Sequence, residues 1–147
     1  MSNSENPRNM TQESDLAGLS LLGNSSSQPN KKLETFPNRH PARDYTITLT
    51  TDEFTCICPA TQQPDFARLT ICYIPDEKIV ESKSLKLYLW SYRNEGVFHE
   101  HVANVILDDL VTVLEPRWCN VIADFGVRGG ISISINAEYR QVNDPTD

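Results

Sequence analysis

Two helical patterns stand back to back in the middle of the chain, with alternating strand patterns on either side. This order limits the fold more than any other feature. Ser82 to Asn94 carries Leu85, Tyr88, Leu89 and Tyr92 at the spacing of one helix face. Ser82 is placed to cap its start, with Glu81 at the positive end of the helix dipole. Asn94-Glu95-Gly96 breaks the pattern. A second helix brings Val102, Ile106, Leu110 and Val113 or Leu114 to one side, and Pro116 stops it. Upstream, Tyr45, Ile47 and Leu49 alternate with threonines, which predicts a half-buried strand. Ala67 to Ile74 predicts a second strand, with Leu69, Ile71 and Tyr73 on one face. Glu53 to Pro64, with two prolines, reads as a loop between them. Downstream, Trp118 to Phe125 and Ile131 to Ile135 predict two more strands around a turn at Gly126 to Gly130, and the chain after Tyr139 reads as a loose polar tail. The order is ββααββ. Two antiparallel hairpins flanking a helix pair give an α+β domain with both helices on one face of a sheet. The edges of so small a sheet invite pairing with another chain.

The ends set the domain limits. Residues 1–32 are rich in Ser, Asn, Gln and Pro and are expected to form a mobile polar extension. Within it, Leu16 to Leu22 is a small apolar patch suited to docking on the domain or a neighbour. Residues 33–140 form one domain, and 141–147 a polar tail. A net charge of -7 argues against a nucleic-acid partner, which needs clustered positive surface. The longest apolar runs are far too short to span a bilayer, and the N-terminus lacks the pattern of a signal peptide. These features place the protein in the cytoplasm, where four irregularly spaced cysteines read as reduced thiols.

Three polar clusters carry candidate chemistry, and the sequence suggests that they meet in one pocket. Cys58, before Pro59, suits a nucleophilic thiolate with Asp65 as proton donor or base, or else an inert thiol. In an extended segment Cys56 points to the same side as Cys58. Cys72 and Cys119 fall in strand patterns and read as packing residues. His99 and His101 with the cysteines have the ligand chemistry of zinc, but on a helix the two rings point about 200° apart. The alternative is two solvated histidines. Glu81 and Glu100 suit the paired N–H donors of a guanine-like edge, or simple dipole complementation at two helix starts. Lys83, Lys86 and Arg128 suit a phosphate-bearing ligand, or a solvated face, and Arg128-Gly-Gly130 permits close backbone approach. Phe98 suits stacking on a flat heterocycle, or capping the core. The glycine fingerprint of a Rossmann site is absent.

The run Glu81-Ser-Lys-Ser-Leu-Lys-Leu-Tyr88 resembles the signature of the NADPH-dependent 7-cyano-7-deazaguanine reductases of queuosine biosynthesis. So do Cys58-Pro-Ala-Thr-Gln-Gln-Pro-Asp-Phe66, Phe98-His-Glu100 and Arg128-Gly-Gly-Ile-Ser-Ile133. The likeness spans Phe36 to Ile135, with a weaker echo from Leu16 to Asn24. It implies the tunnelling fold, in which subunits join their sheets into an oligomeric barrel with active sites at subunit interfaces. A single copy of the domain matches the short branch, for which a decamer of two pentamers is expected. The implied reaction reduces a nitrile to a primary amine in two NADPH-dependent steps through a cysteine thioimide. The resemblance makes Cys58 the nucleophile, Asp65 the proton donor and His99 a proton-transfer or positioning group. Glu81, Ser82, Phe98 and Glu100 would hold the deazaguanine, and Lys83, Lys86 and Arg128 the NADPH. It implies no metal. Cys56 lies outside the family motif and is a candidate for a protective disulfide with Cys58. Two alternatives remain: a zinc-dependent cyclohydrolase of the same fold using Cys58 and His99, and a non-catalytic purine-binding scaffold with no need of a reactive thiol.

Overall fold

The computed structural model describes residues 28–142. Threonine-rich and β-branched alternation gives four long strands: β2 (Ile47–Ile57), β3 (Pro64–Ile74), β5 (Trp118–Arg128) and β6 (Ile131–Arg140). They form one antiparallel sheet in the order β2-β3-β5-β6. Two short strands, β1 (Thr35–Pro37) and β4 (Lys78–Val80), pair as a separate ribbon that the sequence did not announce. Between β4 and β5 run the helices α1 (Ser82–Trp90) and α2 (His99–Leu114). The α+β class and the helix pair between two hairpins are as the sequence implies.

One face of the sheet is apolar. Leu69, Ile71 and Tyr73 of β3 stand opposite Ala123, Val121 and Cys119 of β5, and all six are buried. From above, Leu85 and Tyr88 of α1 and Val102, Ile106, Leu110 and Leu114 of α2 close the same core cluster. The inward set on α2 is the one its periodicity predicts, widened by Ala103 and Leu107. Between the helices, Tyr88 donates to Asp109 Oδ2 at 2.5 Å and shares a 2.8 Å hydrogen bond with Tyr92. Burial pushes the Tyr92 hydroxyl up to about 12, so this network stays neutral at its phenols. The opposite sheet face is mostly polar, with Thr48, Arg68, Asp124, Ser134 and Asn136.

Two β-bulges decide which residues face the core. In β2, Thr51 pairs with Leu69 but Phe54 with Ala67, so one extra residue enters at Asp52-Glu53. Odd positions (Ile47, Leu49, Thr51) face inward before it, and even positions (Phe54, Cys56) after it. That parity switch breaks the period-two signal, which is why Glu53 to Pro64 reads as a loop. In fact β2 continues to Ile57 and β3 begins at Pro64. In β5 a second bulge falls between Phe125 and Arg128. The expected turn at Gly126 to Gly130 shrinks to Gly129-Gly130, whose φ angles of 57° and 76° suit a two-residue hairpin that glycine favours. The strand expected from Ile131 to Ile135 runs on to Arg140.

Helix limits also differ. The N-cap of α1 is Glu81, not Ser82: its carboxylate accepts from the amides of Lys83 (2.8 Å) and Ser84 (2.6 Å). The helix ends at Trp90, and turns continue to Asn94. Before α1, Asn30 donates its amide to Leu87 O, while Lys31 sits 3.2 Å from the Tyr92 ring centre and 2.9 Å from Glu95. The Leu16 to Leu22 patch lies outside the described residues. Among the described residues, no helix is long and apolar enough to cross a membrane.

Candidate active site

At one end of the sheet the β2–β3 hairpin closes over residues 58–63. The Cys58 amide donates to Gln63 O (2.8 Å), and Gln62, with φ 61°, donates to Cys58 O (2.9 Å). This tight turn curls the chain after Pro59 back over the Cys58 sulfur. The Thr61 hydroxyl, then the Thr61 and Ala60 amides, hydrogen-bond the thiol and lower it from the ordinary 9.0. Burial and the Asp65 charge oppose that shift weakly. A thiolate is the better nucleophile, and hydrogen bonds to the charged form favour it. Cys56, opposite Asp65 in the ladder, is fully buried, and desolvation pushes its thiol up to about 11. Both are free thiols, as are Cys72 and Cys119. Cys56 on the strand and Cys58 just past its end therefore differ: burial raises the first thiol, and hydrogen bonds lower the second.

Asp65 is 4 % exposed and satisfied on both oxygens. Oδ2 lies 2.9 Å from His99 Nε2, and Oδ1 lies 2.9 Å from Arg128 Nη2. The same Arg128 nitrogen donates to Pro64 O at 2.6 Å. A buried carboxylate requires such partners. His99 is fixed on its flat side as well, stacked on Phe125 with ring centres 3.8 Å apart and planes 10° apart. Its approach to the hairpin follows from the strand-like segment before α2. Ile57 donates to Glu95 O, and Val97 donates to Ile57 O, so Gly96 runs alongside the end of β2. A Cβ on Gly96 would stand 3.6 Å from Pro59, within ordinary contact. Phe98, the first residue before α2, is 54 % exposed with its ring edge-on to His101. Glu100 is exposed in the first turn.

The third cluster is elsewhere in the chain. Val80, next to Glu81, donates its amide to Tyr73 Oη at 3.1 Å. Tyr73 and Asp65 lie eight positions apart on β3, which at the usual strand rise is roughly 26 Å. Glu81 and Ser82 thus stand near one end of the sheet and Cys58, Asp65, His99 and Arg128 at the other. The expectation that all three clusters meet in one pocket is not met within a single chain. Instead, Ser82 and Lys86 line an open groove of about 730 Å³ between α1 and β2, with Leu85, Trp90, Arg93 and Phe54. None of the four thiol-end residues borders it.

Three contributors escaped the sequence reading. Thr61 is three residues past Cys58, and the Cys-Pro turn was the available signal for it. Phe125 and the role of Arg128 beside Asp65 depend on strand register and a bulge, which no local pattern reveals. Among the described residues, no group of three or more His, Cys, Asp or Glu side chains is placed to hold a metal ion.

Fold and site together define a two-layer α+β protein whose hairpin at one end of the sheet lowers a thiol, backed by a buried carboxylate paired to an imidazole and to a guanidinium at the rim. Residues 64–144 match the family model of the QueF-like proteins. The chain is 67% identical to the NADPH-dependent 7-cyano-7-deazaguanine reductase of Syntrophus aciditrophicus (strain SB) over 131 residues, covering 89% of this chain and 93% of that protein. It is 63% identical to the protein of the same name from Thermomicrobium roseum, over 78% of this chain and 90% of that one. The solved apo structure of the archaeosine synthase QueF-Like superposes with a TM-score of 0.61 at 22% identity, over 67% of this chain and 96% of that one. The chain belongs to the QueF-like protein family.

Proposed function

We propose that this protein reduces the nitrile of 7-cyano-7-deazaguanine to the aminomethyl group of 7-aminomethyl-7-deazaguanine, with NADPH as reductant, in queuosine biosynthesis. The observation that carries this is the Cys58 thiol, lowered by its own turn and placed beside a buried Asp65 that is paired to His99. A nitrile is a weak electrophile and needs both a strong nucleophile and a positioned acid. The Cys58 sulfur attacks the nitrile carbon, forming a C–S bond as one C–N π bond opens. The nitrogen takes a proton from Asp65, and His99, hydrogen-bonded to Oδ2, replenishes it. The product of this step is a covalent thioimide. Phe98 and Glu100 flank His99 and are exposed, available to stack on and hydrogen-bond a deazaguanine.

NADPH would supply two hydrides, one from each of two molecules, for the four-electron reduction; after the first, the C–S bond would break and return Cys58 as a thiolate, and after the second the nitrogen would take up its second proton. The donor set fits such a polyanion. Lys86 and Arg93 line the groove beside α1 together with the apolar faces of Leu85, Leu89 and Trp90. Lys83 and Lys86 on α1 are assigned to the cofactor, with Arg128 at the thiol end. Because Glu81 and Ser82, at the start of α1, stand at the other end of the sheet from Asp65 in one chain, the site is proposed to form between copies. Glu81, Ser82, Lys83 and Lys86 of one subunit would face Cys58 of the next. The outer strands β2 and β6, whose outer edges pair with no further strand among the described residues apart from the bridge at Ile57, support joining sheets into a barrel of the tunnelling fold, with a decamer of two pentamers as the assembly and the cytoplasm as its location.

The test is intact mass after incubation with 7-cyano-7-deazaguanine in the absence of NADPH. A gain of one substrate mass, absent in Cys58→Ala and lost when NADPH is added, is the expected result. A properly reduced protein that gains no mass refutes the thioimide and directs attention to metal content and the cyclohydrolase alternative.

A further inference from the structure

We infer that Arg128 is a positioning residue for the proton-transfer pair, acting on Asp65 in addition to any contact with cofactor; this rests on the nitrile-reductase reading above. The guanidinium reaches Asp65 Oδ1 at 2.9 Å while His99 holds Oδ2 at the same distance. With Oδ1 occupied by a donor that does not give up its proton at working pH, the exchangeable proton of the pair is confined to the Oδ2–Nε2 side. The carboxyl also loses freedom to rotate, since both oxygens are tied to different elements, β5 and α2. The same Arg128 nitrogen donates to Pro64 O, where β3 leaves the Cys58 hairpin. One side chain therefore fixes both the acid and the strand that follows the nucleophile's turn.

Sequence spacing would not aim Arg128 this way. Phe125 faces the core, so in a regular strand position 127 would share its face and position 128 would point outward. The bulge between Phe125 and Arg128 inserts one residue and returns Arg128 to the core face, opposite Ile131. Arg128 remains 41 % exposed, as suits a residue at the rim of a site.

A cofactor contact and a positioning role separate at the step that needs no NADPH. Thioimide formation is followed by mass or absorbance with saturating 7-cyano-7-deazaguanine and no reductant, in wild type, Arg128→Ala, Asp65→Asn and the double variant. Positioning predicts that Arg128→Ala slows adduct formation on the order of tenfold or more, and that the double variant is no slower than Asp65→Asn alone. It also predicts that added guanidinium ion restores part of the Arg128→Ala rate. If Arg128→Ala does not fold, Arg128→Gln, which keeps a donor toward Pro64, takes its place. Adduct formation at the wild-type rate, with loss of NADPH-dependent turnover alone, overturns the proposal and leaves the nitrile-reductase reading standing. A wild-type protein that forms no adduct overturns that reading and this proposal with it.

Discussion

At the residue scale, two cysteines two positions apart have opposite fates. Cys56 is sealed under the helices and its thiol is raised to about 11, mainly by desolvation. Cys58 is past the end of the strand, where the Thr61 hydroxyl and two amides lower it. The reactive form is the deprotonated one, so the adduct rate should climb with pH through a value below 9.0 and then level off. Thr61→Val removes the largest contribution to the lowering. Its inflection should move up toward the ordinary thiol value, with a slower reaction at neutral pH and an unchanged plateau in alkali. A pH–rate profile of adduct formation checks this, and an unmoved inflection would show that the hydroxyl does not tune the sulfur. Cys58→Ala should abolish both adduct and turnover while leaving the fold intact, as its circular dichroism would report.

At the element scale, the site depends on irregularities in regular strands. The bulge at Asp52-Glu53 turns even positions of β2 inward, and the bulge after Phe125 does the same for Arg128. Without them, a helix-covered sheet would still form, but Cys58 and Arg128 would face away from Asp65. The helices hold this arrangement by packing. Leu110, fully buried in α2 against the sheet, is the plainest measure of that layer. Leu110→Ala should cost about 2–5 kcal/mol of stability, through lost burial and a residual cavity. Denaturant titration at fixed protein concentration reads it, and a loss below about 1 kcal/mol would mean that the layer collapses around the gap.

At the scale of the whole molecule, Glu81 and Ser82 stand beside Val80, which is tied to Tyr73, while Asp65 lies eight positions away on β3, roughly 26 Å at the usual strand rise. If the site is completed by a neighbouring copy, two inactive variants should complement each other. Cys58→Ala lacks the nucleophile, and a Lys83→Ala/Lys86→Ala double variant lacks the proposed cofactor contacts, yet mixed assemblies would contain some interfaces wild-type on both sides. Equal mixing by refolding or subunit exchange should restore about a quarter of wild-type activity at limiting NADPH, the chance that both sides of a symmetric interface are intact. No recovery from demonstrably mixed assemblies would place the whole site within one chain and require α1 to move.

The sequence by itself determined what depends on local periodicity. These features are the strand–strand–helix–helix–strand–strand order, the inward face of α2, and the motifs that carry the family likeness. Those signals survive because a helix repeats every 3.6 residues and a strand every two, whatever lies beyond. Tertiary structure alone decided the rest. An extra residue in a strand erases the period-two signal while keeping the ladder, so the lengths of β2 and β3 were hidden. Glu81, not Ser82, caps α1 because backbone geometry selects which oxygen reaches the free amides. The union of Asp65, His99 and Arg128 joins three elements far apart in the chain. Register and bulges bring them together, and the need of a buried carboxylate for partners keeps them there.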